Sequence, residues 1–228
     1  MQQKVRSDMR KGLTELVMIL DRSGSMCGLE NDTIGGFNSV LKEQKNAEGR
    51  AFVTTVLFDH EILTIHDRID IEEVKPMTEE DYQTRGTTAL IDAIGYSIDH
   101  IDSIHKYIRK EDVPSKTMFV IITDGYENAS RRYTSDKVKK SIEKHKKHGW
   151  EFIFIGANID AVETAGHFGI GADRAINYCS DNIGTGKVYD AVAKATVAMR
   201  CCSEETFEEE MCASFAEVNA DFNKRGKR

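Results

Sequence analysis

Apolar and polar positions along this 228-residue chain follow two alternating rhythms. Residues 16–20 (LVMIL) are an unbroken apolar run, the pattern of a strand buried on both faces. Ile34, Phe37, Val40 and Leu41 then recur at helical spacing, which predicts a helix over 33–47. Residues 51–58 (AFVTTVLF), β-branched and aromatic, predict a second strand. A third, at 62–66, follows after only Asp59, His60 and Glu61. That link is too short for a parallel crossover, so the third strand is expected to be antiparallel and at an edge. Ile91, Ile94, Ile98, Ile101, Ile104 and Ile108 step by three and four, a helix over 90–108. Pro114 precedes a strand at 117–123 (TMFVIIT), and a lysine-rich amphipathic helix at 135–148 stops at Gly149. A strand at 151–156, a short helix at 161–168 and a short strand at 175–178 follow. Helices at 185–200 and 204–223 end the pattern, which does not fix where the last one docks. Strand and helix in alternation predict an α/β fold: a doubly wound, mostly parallel central sheet with one antiparallel edge strand and helices on both faces.

In such sheets ligands bind beyond the carboxyl ends of the strands, and three chemical signals fall there. Asp21, Ser23 and Ser25 follow the first strand at alternate positions. Three oxygen side chains in one turn suit a hard cation such as Mg²⁺, which takes oxygen ligands in near-octahedral geometry. Gly86, Thr87 and Thr88 form a loop before the isoleucine-rich helix, and Thr123-Asp124-Gly125 ends the strand at 117–123. Each has an ordinary reading: Asp and Ser cap helices and make turns, Thr88 serves as an N-cap, and Asp-Gly is a turn. Their joint occurrence, in this order and on these elements, is what points to a single site, provided the first and fourth strands are neighbours.

Composition narrows the setting. The net charge is −7, with no basic face of the kind nucleic-acid binding requires. The lysines of 137–147 read as a solvated helix face and the basic residues of 224–228 as a tail. No stretch approaches the roughly 18 apolar residues of a membrane span, and the basic N-terminus lacks the apolar segment of a secretory signal. Cys27, Cys179, Cys201, Cys202 and Cys212 are odd in number and lack zinc-finger spacing, which fits a reducing cytoplasm. Cys27, beside the proposed site, reads as an incidental thiol.

Taken together, Asp21-Arg22-Ser23-Gly24-Ser25, Gly86-Thr87-Thr88-Ala89-Leu90 and Thr123-Asp124-Gly125 resemble the signature of von Willebrand factor A (vWA) domains, over roughly 13–178. The likeness is to the stand-alone intracellular bacterial or phage members. It implies a Rossmann-like vWA domain over 13–200 with a metal-ion-dependent adhesion site, then a C-terminal helix and basic tail over 201–228. It also implies that Ser23, Ser25 and Thr88 contact Mg²⁺ (or Mn²⁺) directly, with Thr87 as the fallback for Thr88. Asp21 and Asp124 would act through water or by orienting the hydroxyls. The partner would be a protein presenting Asp or Glu, with no nucleic acid and no membrane involved.

An enzyme is the contrasting expectation, since Mg²⁺ at a sheet rim also suits phosphoryl transfer. Phosphatases of the haloacid dehalogenase type end a strand in Asp-x-Asp, but here the second acid is Ser23. Gly184-Thr185-Gly186-Lys187 lacks the spacing of a phosphate-binding loop. His60 and His66, flanking the hairpin, and His145 and His148, in the lysine-rich helix, are expected at the surface. The reading is therefore non-catalytic, with a phosphohydrolase or a purely structural metal as alternatives. Met26, Leu29, Tyr126, Glu127, Asn128 and Arg131 lie in or just beyond the metal-bearing loops, and are candidate recognition residues.

Overall fold

A computed structural model describes residues 12–226. The first apolar run becomes β1 (Leu13–Asp21), buried at all 9 positions. Next come α1 (Glu30–Asn46), β2 (Arg50–Phe58), β3 (Ile62–Asp70), α2 (Leu90–Tyr107) and β4 (Lys116–Thr123). The chain continues through α3 (Ser135–Lys146), β5 (Trp150–Ala157), α4 (Ala161–His167), β6 (Ala175–Tyr178), α5 (Asn182–Cys201) and α6 (Glu204–Arg225). The sheet order is β3-β2-β1-β4-β5-β6, with β2–β3 antiparallel and every other pair parallel. This is the expected architecture, with the antiparallel strand at one edge.

Alternation along β1 sorts its side chains onto two cores. Leu16, Met18 and Leu20 face α1, α5 and α6, packing with Phe37, Val192 and Phe215. Val17 and Ile19 face the other layer, with Ile94 and Ile98 of α2 and Val138 and Ile142 of α3. From β1 the chain first builds outward to β2, then crosses back to place β4 on the opposite flank of β1. That reversal opens a crevice at the carboxyl ends of β1 and β4, where such sheets hold ligands.

The terminal helix α6 buries Phe207, Met211, Phe215 and Val218 in the α1/α5 core. Arg200, near the end of α5, is 7% exposed and donates to the carbonyls of Gln44 and Gly49 and, at 3.0 Å, to Gln44 Oε1. It thereby adds charged donors at the carbonyl end of α1 and the turn after it, where helical N–H partners run out.

Several expectations are corrected. His66 is buried; its Nδ1 lies 3.0 Å from Thr55 Oγ1 and its ring stacks on Phe37. Burial lowers its pKa from the ordinary histidine value. His145 is also buried, its ring centroid 4.2 Å from that of Trp150. It shares the inward face of α3 with Val138 and Ile142, a position its lysine neighbours obscure. Helix α5 begins at Asn182 because Asp181 caps it, accepting from Gly184 N at 2.7 Å. Gly184 to Lys187 are therefore helical, and Lys187 pairs with Asp221 at 2.5 Å. No helix among the described residues is long and apolar enough to cross a membrane. The basic N-terminal stretch 1–11 and the last two residues of the basic tail lie outside the described residues.

Candidate metal centre

β1 and β4 pair in register up to Leu20 and Ile122, so their outgoing loops start side by side. Asp21 closes β1 with no exposed surface. Its Oδ1 accepts from Ser23 N at 2.6 Å, a side-chain turn that folds the loop back over the strand end. Its Oδ2 accepts from Thr123 Oγ1 at 2.6 Å, which ties the first loop to the end of β4. Ser23 Oγ and Ser25 Oγ then lie 3.0 Å apart, and Ser25 Oγ donates to Asp124 Oδ1.

The threonine loop docks against this pair. Gly24 N donates to the carbonyl of Gly86 at 3.2 Å. Gly86 takes φ +67, and a Cβ there would fall 2.2 Å from His60 Nδ1, so the turn needs glycine. Asn128 clamps Thr88 from the far side: its Oδ1 accepts from Thr88 N at 2.9 Å and its N donates to Thr88 O at 3.0 Å. Thr87 is exposed and Thr88 is buried. Thr88 is not the N-cap of α2; Glu127 Oε2 accepts from Ile91 N at 2.8 Å and supplies that cap. A Cβ on Gly125 would sit 3.1 Å from Ser25 Oγ and 3.3 Å from Thr88 Oγ1. The two hydroxyls thus converge on a space that glycine leaves open. Asp21, Ser23, Ser25, Thr88 and Asp124 are all brought to one rim.

The electrostatics of this pocket favour a cation. Burial pushes the Asp21 carboxyl up to about 6, against hydrogen bonds from Thr123 and Ser23 that favour the anion; the nearby Asp124 charge adds to the rise. Burial also raises Asp124, opposed by Ser25 and Ser180. Neither acid has a basic partner within ion-pair distance among the described residues, unlike Asp59 nearby, which faces both Arg22 and Arg85. Two buried carboxylates without counter-charge, set among three hydroxyls, form an all-oxygen donor set that fits a hard divalent cation. Asp59, His60 and Glu61 also bring potential ligand atoms together. There, Arg22 Nε at 3.1 Å and Arg85 Nε at 2.8 Å already neutralise Asp59, so that group is an ion-pair network bracing the loops.

No protein-family model matches the chain, and no curated protein does. Solved structures do share its architecture. The vWF domain of the type V pili tip protein Mfa5 from Porphyromonas gingivalis superposes with a TM-score of 0.57 at 10% identity, over 83% of this chain and 97% of that one. Proximal thread matrix protein 1 from the mussel byssus, in a form with a zinc-occupied MIDAS motif, gives 0.54 at 16% identity, over 82% of this chain. A von Willebrand factor type A protein from Catenulispora acidiphila gives 0.54 at 12%, again over 82% of this chain. This is the von Willebrand factor type A fold. The chain spans 46% of the mussel protein's length and 43% of the Catenulispora protein's.

Around this rim Thr123 and Asn128, named in the sequence for other reasons, fix Asp21 and Thr88 as described, and the structure adds two residues the sequence did not single out. Ser180, after β6, places its Oγ 3.4 Å from Asp124 Oδ2. Tyr82 is buried and donates its hydroxyl to the Asp21 carbonyl. Of the candidate recognition residues, Met26 and Leu29 are corrected to buried packing residues of the first loop, at 2% and 8% exposed. Glu127 and Asn128 are spent on internal hydrogen bonds. Tyr126 and Arg131 are exposed, and Cys27 is an exposed free thiol.

Proposed function

We infer that this vWA domain is a metal-dependent protein-interaction module. Ser23, Ser25 and Thr88 would hold Mg²⁺ or Mn²⁺ directly, with Asp21 and Asp124 orienting the hydroxyls and balancing charge. The observation that carries this reading is the convergence of three hydroxyls on two buried carboxylates that have no basic partner among the described residues. The mussel protein with a zinc-occupied motif lends it support by likeness of fold. Neutral hydroxyls offset little of a +2 charge, so the bound ion would supply Lewis acidity toward an acidic side chain of a partner protein. Desolvation offsets part of that attraction, which makes recognition selective for a well-placed carboxylate.

We read the module as non-catalytic. Each oxygen of Asp21 accepts a hydrogen bond of 2.6 Å from the surrounding loops, and the buried carboxylate suits a joint between them better than a nucleophile. We also read it as a cytoplasmic adaptor of the stand-alone bacterial or phage kind; five free cysteines suit a reducing compartment.

Thermal melting tests the metal reading. An ion that binds only the folded state stabilises it by RT ln(1 + [L]/Kd), about 2.7 kcal/mol at a hundredfold excess over Kd. Millimolar Mg²⁺ is therefore expected to raise the Tm of the wild type, and Ser23→Ala or Asp21→Ala to abolish the rise. A Tm indifferent to both Mg²⁺ and Mn²⁺ contradicts the reading. Turnover of aryl phosphates that Asp21→Asn abolishes would replace it with a phosphohydrolase.

A further inference from the structure

Beside the metal rim, between the loop after β4 and helix α4, lies a groove of about 340 Å³. Ile91, Tyr126 and Phe168 give it an apolar surface, and Asp160 and Glu163 an acidic wall. Tyr126, 65% exposed, stands two residues beyond Asp124, and Ile91 stands three beyond Thr88, so the groove is lined from the same two loops that carry the proposed ion site.

The acids differ in what they are free to do. Glu127, also at the groove, is consumed internally by Ile91 N, Ala129 N and Ser130. Asp160 commits Oδ1 to Glu163 N at 3.0 Å, capping α4, and its Oδ2 has no protein partner among the described residues. The Glu163 carboxylate has none either; Glu163 contributes only its backbone N–H to that cap. His167, one turn further along α4, is the one basic side chain lining the groove. An apolar occupant would desolvate the Asp160 and Glu163 carboxylates without compensation. A lysine or arginine satisfies both features: its aliphatic stem covers apolar surface while its charged head stays with the acids, and an aromatic face attracts the cation.

The geometry points to a two-point recognition surface. A partner segment places one carboxylate on the ion and a lysine or arginine a few residues away in this groove, its stem on Tyr126 and Ile91 and its cation against Asp160 and Glu163. This inference rests on the metal reading above and adds the partner's chemistry to it: an acidic residue followed or preceded closely by a basic one. Opposite charges at two fixed points set the register and direction of the bound segment.

The test uses the whole chain in Mg²⁺ and an array of synthetic Gly/Ser peptides. Each peptide carries one Asp, with Lys, norleucine or Glu placed one to five residues to either side. The Mg²⁺-induced Tm shift is measured on every protein variant, so that loss of the ion and loss of the groove are told apart. The expected result is Mg²⁺-dependent binding in which Lys at one or two spacings is at least tenfold favoured over norleucine and Glu. Glu163→Lys combined with Asp160→Asn, which keeps a capping side chain, should move the preference to Glu at the same spacings. Tyr126→Ala should cut the Lys advantage severalfold. Mg²⁺-dependent binding of Asp peptides with no preference among the three second residues overturns the groove and leaves the metal reading standing. A Tm shift with no binding of any peptide also overturns the groove. No Tm shift overturns both.

Discussion

Asp21 does its work while almost completely hidden. Each of its oxygens takes one hydrogen bond from a different loop, so the carboxylate functions as the joint between the first loop and the end of β4. Thr123 is the other half of that joint and has no exposed surface. Thr123→Val keeps the shape and removes the donor. A hydrogen bond to a charged acceptor contributes about 1.5–3 kcal/mol, and its loss leaves the acceptor underpaired. Urea unfolding in EDTA should therefore show a destabilisation of about that size, and Mg²⁺ titration a weaker apparent affinity. Unaltered Mg²⁺ affinity would mean that Asp21 does not set the pocket. Asp21, Ser23, Ser25, Thr88 and Asp124 were singled out because they lie next to strand ends and a helix start that the hydrophobic pattern reveals and because together they resemble the vWA signature, and the structure brings them to one rim. Ser180 was not, and Asn128 was read as a recognition residue and not as the clamp on Thr88, since they reach Asp124 and Thr88 across 56 and 40 positions with no periodic signal. Of the two adjacent threonines, Thr88, which the resemblance favours, is the buried one and Thr87 is exposed.

Between elements, the packing of helices α2 and α3 includes a charged tie as well as apolar contacts. Burial disfavours the charge on Asp102, yet Lys106, His145 and Lys144 together hold its carboxyl down at about 2. Lys106 Nζ lies 2.6 Å away on the same helix, and His145 Nε2 lies 3.2 Å away across the helix interface. A depressed carboxylate contributes stability that is fully present above its unfolded value, about 4, and is lost as pH falls toward 2. Chemical unfolding at pH 5 and pH 3 should show a loss that Asp102→Asn diminishes, and an identical pH response in the two proteins would remove Asp102 from the account. The same interface shows where elements escape a linear reading. Strand and helix identities followed from period, and even the antiparallel edge followed from a link three residues long. The inward place of His145 did not, because lysines on both sides mask a face defined by Val138 and Ile142. The start of α5 was hidden by Gly184 and Gly186, which a capping Asp181 overrides. The docking of α6 was invisible, for Phe207, Met211, Phe215 and Val218 mark a buried face without saying what buries it.

At the scale of the molecule, the sheet order decides everything downstream. Placing β1 between β2 and β4 gathers loops separated by roughly a hundred positions onto one rim, as the Ser25–Asp124 contact across 99 residues records. The two helical layers cover both faces of the sheet that carries the rim, and Arg200 ties α5 to the end of α1. We propose above all that this rim holds one divalent cation on the hydroxyls of Ser23, Ser25 and Thr88, with Asp21 and Asp124 behind them. Crystals grown with Mn²⁺ and measured at a wavelength where manganese scatters anomalously test it most directly. The account predicts one strong anomalous peak bounded by Ser23, Ser25, Thr88 and Asp124, with the coordinating hydroxyls at about 2.1 Å, as a small hard cation in octahedral geometry requires. A map with no peak there, or with its only peak at Asp59, His60 and Glu61, would contradict it.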